Sequence, residues 1–327
     1  MKLLNYSEID NGAKNNLLLG NGFSIGVSRS FSYRSLLSVG KDNGYLHHKV
    51  SQLFDELNTS DFEFILDQLM ITANINRVIG LDFDMPTTYY SSVRDALIHC
   101  IRKIHPDFYS VESKWIKKVA AELSEFKRVF TTNYDLLLYW IVADGGFSKF
   151  TDFFWSSGLT FDEFNTDIWG NKTAILYLHG ALFLYLDSFY IKKIKRTQDL
   201  LSSIEASLRG GNLPVFVSEG TSNEKLRSIA RNSYLSFAFR QLKEVKTGIT
   251  IFGHSLSPVD NHIVDAIIKN GSFQHIAYSI YVGDKSSDQI QNEVDNITHK
   301  LRTFTRGGGN LQFFDSSTSI LSYSTQE

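Results

Sequence analysis

The sequence predicts an α/β fold: a doubly wound, mostly parallel sheet interrupted by a large helical insertion. Three observations support this. Short apolar runs end repeatedly in polar or glycine-bearing turns, as at Leu19-Gly20 and Phe252-Gly253. Between them lie segments whose apolar residues recur at helical spacing. The stretch from about Ser30 to Phe126 carries helical periodicity alone. Apolar strands alternating with helices imply a sheet buried on both faces.

Asn16 to Leu19 reads as a buried strand that enters a tight turn at Gly20-Asn21-Gly22. The insertion then holds about four helices. They are marked by Leu46, Val50, Leu53 and Phe54; by Phe62, Ile65, Leu66 and Leu69; by Val93, Leu97, Ile98 and Ile101; and by Trp115, Ile116, Val119 and Leu123. A strand over Arg128 to Thr131 leads through Thr132-Asn133 into a helix over Tyr134 to Val142. Phe150 to Trp155 reads as a strand, and Ala174 to Leu178 as a clearer one ending at His179-Gly180. A helix over Thr197 to Leu208 precedes the strand Leu213 to Val217, which ends at Ser218-Glu219-Gly220. Thr221 to Glu224 has the hydroxyl-x-x-acid form of a capping box. The strand Gly248 to Phe252 runs into Gly253-His254-Ser255, and Ser257-Pro258 opens the next helix. A strand from His275 to Val282, a helix over about Asp288 to Leu301 and a strand from Leu311 to Phe314 follow. Gly307-Gly308-Gly309 reads as a connector.

At 327 residues, 43% hydrophobic and 21% charged, the chain has material for a substantial core. It is expected to form a single domain over residues 1–327, with the insertion at about 30–126. A net charge of −2 gives no electrostatic reason to expect nucleic acid or an anionic membrane as partner. The basic stretch Lys192, Lys193, Lys195 and Arg196 reads as a solvated face. The lone Cys100 sits in an apolar-periodic run, so a buried, inert thiol is expected. One cysteine builds neither an internal disulfide nor a multi-cysteine zinc site. With no signal pattern and no long apolar span, a cytoplasmic location is expected.

In an open parallel sheet, ligands bind beyond the carboxyl ends of the strands. Four polar turns lie there. Gly20-Asn21-Gly22-Phe23-Ser24 allows close backbone approach to a phosphate at a helix start, although a plain tight turn explains the glycines equally well. Thr131-Thr132-Asn133-Tyr134-Asp135 is richer in polar groups than a single helix cap requires. His179-Gly180 places an imidazole at a strand end, where acid–base work or a structural role are both open. Gly253-His254-Ser255-Leu256, followed by Asp260, is the fourth.

Taken in register, these four turns resemble the motifs of the sirtuin-like NAD-binding family, over about residues 16 to 282. The family pattern is a glycine-x-glycine turn with a serine, an asparagine-x-aspartate run, a histidine-glycine pair and a glycine-x-serine-leucine turn. The closest likeness is to bacterial sirtuin-like proteins that deplete NAD in phage defence. The resemblance implies a Rossmann-variant fold, NAD as substrate, and cleavage of the nicotinamide–ribose bond. It also implies roles for individual residues. Gly20, Asn21, Gly22, Phe23, Ser24, Thr132, Gly253, Ser255 and Asp260 bind the nucleotide; Asn133 and Asp135 position the ribose, water or nicotinamide; His179 is the general base. A homo-oligomer or a defence-system partner is implied, with the insertion as the contact surface.

The sequence departs from sirtuin deacylases in lacking their four-cysteine zinc module, so no metal is expected. An NAD glycohydrolase is therefore the expected function. A non-catalytic nucleotide sensor is the alternative, and a protein deacylase fits less well.

Overall fold

The computed structural model describes residues 3–31, 36–156, 158–164, 170–195, 199–217, 221–269 and 273–323. Arg196 and Ser218-Glu219-Gly220 lie outside the described residues.

Strand β1 (Asn16–Leu19) lies at the centre of a seven-stranded sheet. Its Leu17, Leu18 and Leu19 are fully buried, each contributing roughly 1.5–3 kcal/mol from apolar transfer alone. It is followed by α1 (Asn21–Val27), α2 (Leu36–Asp42), α3 (His48–Glu56), α4 (Phe62–Ile79), α5 (Asp84–Ile104) and α6 (Ser113–Leu123). The insertion thus holds one helix more than its periodicity predicts. Helix α2 is seven residues long and contains a glycine, too short to show a repeating apolar stripe. Among the described residues no strand interrupts this block.

After β2 (Arg128–Thr131) come α7 (Leu137–Gly145), β3 (Phe150–Thr151) and β4 (Thr173–Tyr177). Strand β3 is shorter than expected because Phe153 takes a left-handed φ of 68°, which turns the chain away from β4. Next are β5 (Gly180–Asp187), β6 (Tyr190–Lys193), α8 (Leu200–Arg209) and β7 (Pro214–Phe216). These three strands form a separate antiparallel sheet in the order β6-β5-β7. The expected strand at Leu213 to Val217 therefore exists, but outside the parallel sheet.

The chain continues with α9 (Ser222–Arg231), α10 (Ser233–Lys243), β8 (Gly248–Phe252), α11 (Asn261–Ile268), β9 (His275–Ile280), α12 (Ser287–Lys300), α13 (Arg302–Arg306) and β10 (Asn310–Asp315). The capping box at α9 is formed: the Thr221 hydroxyl accepts the Glu224 amide, and the Glu224 carboxylate accepts the Thr221 amide.

The seven strands run parallel in the order β10-β9-β8-β1-β2-β4-β3. The architecture is α/β and Rossmann-like. β1 leads to β2 on one side, and the chain returns to its other side only at β8. The order reverses at the β1–β8 pair, which makes the carboxyl end of that pair the topological switch point. No helix among the described residues is long and apolar enough to cross a membrane.

Candidate functional site

The turns after β1 and β8 are packed backbone on backbone. The Gly22 amide donates to the Gly253 carbonyl at 2.7 Å, and the Gly20 amide to the Phe252 carbonyl at 2.9 Å. A Cβ on Gly20 would fall 2.4 Å from His254 Cα, and one on Gly253 would fall 2.5 Å from the Phe23 amide nitrogen, at a φ of +66°. These glycines are therefore demanded by the approach of two turns, the purpose the sequence assigned to phosphate clearance. The Phe23 side chain is buried beside Trp115 and Phe252, and Asn21 Nδ2 donates to the Phe31 carbonyl at 2.8 Å.

The β1 and β2 turns are joined by side chains. Ser24 Oγ donates to Asp135 Oδ2 at 2.6 Å, and Asn133 Nδ2 donates to the Gly20 carbonyl and to Ser24 Oγ, both at 3.0 Å. Asp135 Oδ1 accepts the Leu137 amide at 2.9 Å, satisfying the first free amide of α7. All three residues are buried. Burial raises the Asp135 carboxyl above the usual carboxylate range, against the bonds from Ser24 and Leu137 that favour its charged form. Thr132 is half-buried in the same turn, its amide donating to the Leu19 carbonyl at 3.1 Å.

The turns after β4 and β8 meet in a second group. His179 Nε2 and His262 Nε2 lie 2.9 Å apart, so that one imidazole N–H donates to the other's lone pair. Ser222 Oγ accepts the His262 amide at 2.7 Å and stands 3.1 Å from its Nδ1. Asp260, at the start of α11, accepts Lys225 Nζ from α9 at 2.9 Å in an ion pair whose side chains are about 5% exposed. His254 Nδ1 accepts the Leu256 amide at 3.0 Å, so its hydrogen is carried on Nε2. That Nε2 is buried 3.9 Å from Asp260 Oδ2, with no hydrogen-bond partner among the described residues. Ser255 is exposed, and its carbonyl accepts Lys300 Nζ at 3.3 Å.

The electrostatics of this group follow from burial around one ion pair. Burial, assisted by the Lys225 ammonium, holds His179 well below the usual imidazole range; burial holds His254 and His262 at about 4. The three rings are therefore neutral at pH 7. Burial pushes the Asp260 carboxyl up, but the basic groups around it, His179, Lys225 and His254, outweigh this and hold it below the carboxylate range. His179, His262 and Asp260 bring nitrogen and oxygen atoms within 4.8 Å of one another, a spacing a metal ion could bridge. The Lys225 ammonium already neutralises the carboxylate, which disfavours a second cation there.

The structure thus brings Gly20, Ser24, Asn133 and Asp135 together, and separately places His179 within 4.8 Å of Asp260. Gly20 links the two groups, since its carbonyl accepts Asn133 while a Cβ at this position would fall on His254. Sequence reasoning did not find Lys225, His262, Ser222 or the unpartnered nitrogen of His254. Asp260-x-His262 after a strand-end turn was a usable signal for His262. Nothing marks Lys225 among the charges of α9 until the helix is docked.

A cleft of about 850 Å³ lies between α3 and α4 on one side and β7, α9 and α10 on the other. Phe54, Phe64 and Val217 give it apolar walls, and Arg227 and Arg231 give it charge. None of the predicted site residues lines it. It is tied to the histidine group through Val217, whose amide donates to the His179 carbonyl at 2.7 Å.

No curated protein matches the chain. A family model matches residues 17–321, which covers every strand of the large sheet from its second residue onward, and the chain belongs to that family, a domain of unknown function (DUF4917).

Proposed function

We propose that the chain is an NAD glycohydrolase, cleaving NAD with water to nicotinamide and ADP-ribose. The observation that carries the reading is that an asparagine–serine–aspartate group and a neutral, buried histidine both follow carboxyl ends of the central strands, in two groups that adjoin through Gly20 and His254. Breaking the nicotinamide–ribose bond returns its electron pair to the nicotinamide nitrogen and leaves an oxocarbenium-like ribosyl cation. Asn133 and Asp135 are suited to orient the ribose and to face that positive charge. Water attacks the anomeric carbon and gives up a proton, for which His179, held neutral at pH 7, is the candidate base. Depletion of NAD in phage defence is the role the resemblance assigns to such an activity.

A second reading is favoured by the closure of the site. Asn133, Ser24 and Asp135 satisfy one another, and the Gly22 amide is committed to Gly253. A protein in this arrangement must open before it can turn over, or it senses a nucleotide without cleaving it. A deacylase is disfavoured because the single cysteine, Cys100, is buried with its thiol pushed up to about 12.

The test uses His179→Gln, which keeps a hydrogen-bonding partner for His262 but takes up no proton. Loss of a general base lowers turnover by roughly 10²- to 10⁴-fold. The variant is expected to keep the parental melting temperature within a few degrees while nicotinamide release falls by that factor. A folded variant with parental turnover would remove His179 from the mechanism. Nucleotide binding without turnover by the parent would select the sensor.

A further inference from the structure

Ser222, His262 and His179 form a chain of polar atoms that runs from α9 through α11 to the turn after β4. Ser222 Oγ stands 3.1 Å from His262 Nδ1, and His262 Nε2 stands 2.9 Å from His179 Nε2. Both rings are buried and neutral at pH 7, and the serine at the start of α9 is half-buried. A neutral imidazole carries one N–H and one lone pair, so each hydrogen in the chain fixes the next. Two orders of hydrogens satisfy the distances. In the first, the Ser222 hydroxyl donates to His262 Nδ1, His262 Nε2–H donates to His179 Nε2, and His179 carries its hydrogen on Nδ1. In the second every bond is reversed, and the lone pair of His179 lies on Nδ1.

The two orders differ in what His179 can do. In the first both of its nitrogens are occupied, one by a hydrogen and one by the donor on His262, and the ring takes up no proton. In the second Nδ1 is open to one.

We propose that His262 is a positioning residue that holds the second order, accepting the Nε2–H of His179 so that the lone pair is presented on Nδ1. Two features of the structure support this. Ser222 Oγ already accepts the main-chain amide of His262 at 2.7 Å, which turns its acceptor side toward that residue and leaves a second lone pair for Nδ1–H. Among the described residues nothing is hydrogen-bonded to His179 Nδ1, so a hydrogen placed there, as the first order requires, would lack an acceptor. The use of that nitrogen rests on the NAD reading; the order of hydrogens does not. In NAD cleavage the oxygen of water bonds to the anomeric carbon, nicotinamide leaves with the electron pair of the broken bond, and the proton of water passes to His179 Nδ1. The imidazolium so formed keeps His262 Nε2 as the acceptor of its other N–H.

Long-range ¹H–¹⁵N correlation of the full chain with ¹⁵N-labelled histidine at pH 7.5 reads the order directly, the His179 signals being those lost in His179→Gln. The parent is expected to carry the His179 hydrogen on Nε2, and a hydrogen on Nδ1 overturns the proposal. His262→Leu removes the acceptor and should leave His179 populating both forms. Its kcat for nicotinamide release should fall by roughly 10²- to 10⁴-fold, with KM changed about twofold or less. His262→Gln, whose Oε1 takes the place of Nε2, should restore the Nε2–H form and most of the turnover. Should His262→Leu fail to fold, Ser222→Ala tests the chain from its other end and should likewise mix the two forms. A folded His262→Leu that keeps the His179 hydrogen on Nε2, or matches the parental kcat, removes His262 from the role. A parent that releases no nicotinamide defeats the NAD reading instead, and the position of the hydrogen in the parent and the variants still decides for or against His262.

Discussion

Lys225→Met removes one partner of the ion pair at the centre of the histidine group. The magnitude follows from the burial of both sides: Lys225 and Asp260 have side chains about 5% exposed and are joined at 2.9 Å. Removing a single member of such a pair leaves a buried, uncompensated charge and costs about 3–5 kcal/mol. The remaining carboxylate keeps only neutral or distant partners, the Ser257 hydroxyl at 3.4 Å and the His254 nitrogen at 3.9 Å. Urea denaturation at pH 7.5 should show the midpoint falling by the corresponding amount with an unchanged m-value. Replacing both partners, as Lys225→Met/Asp260→Leu, should recover most of the loss, because an apolar pair strands no charge. The lysine also lowers His179, His254 and His262, so the single variant should protonate its histidines at higher pH than the parent. A loss below about 1 kcal/mol would refute the claim that this pair is desolvated in the native state. So would a double variant no more stable than the single one.

Acid should weaken the fold in a definite window. His105, buried between Ile101 and Leu136, is held at about 4, as are His254 and His262, against roughly 6.5 in an unfolded chain. Below pH 6.5 the unfolded chain binds protons that the native state refuses, so stability is full above 6.5 and falls as the pH drops toward 4. His105 alone contributes on the order of 3 kcal/mol to this slope. Denaturation midpoints that stay flat from pH 7 to 4.5 would contradict it. Gly180→Ala should be severe, since φ is +76° and the added Cβ would fall 2.0 Å from the Val215 carbonyl oxygen. The left-handed conformation costs about 1–2 kcal/mol for alanine before that clash is counted, so a loss of about 3 kcal/mol or more is expected in the same assay. A melting temperature unchanged from the parent would show that β7 is not held against β5 there.

The strands of the large sheet were legible because a parallel strand buried on both faces must be apolar at every position, as Leu17 to Leu19 are. The small sheet was not. Gly180 turns the chain back immediately after His179, so Ala181 to Leu184 continue as β5 and draw β7 away from its expected sheet. That pairing is non-local and leaves no periodic mark. The helix α10 was also missed, although Tyr234, Leu235, Phe237, Ala238 and Phe239 are all buried. At the site, the residue types at the strand ends were readable, but their partners were not. Asn133 and Asp135 are two residues apart in sequence, yet both bind Ser24, more than a hundred positions earlier. The roles of Gly20 and Gly22 also depended on contact with Gly253 and His254, which only the β1–β8 pairing creates.

The central claim is cleavage of the nicotinamide–ribose bond, and a product balance on the purified chain tests it most directly. NAD incubated with the full chain, without peptide or added metal, is resolved by chromatography over time. Nicotinamide and ADP-ribose should appear in equal amounts as NAD disappears, with release by His179→Gln slower by roughly 10²- to 10⁴-fold. NAD that remains intact at every concentration of the parent would contradict cleavage of that bond.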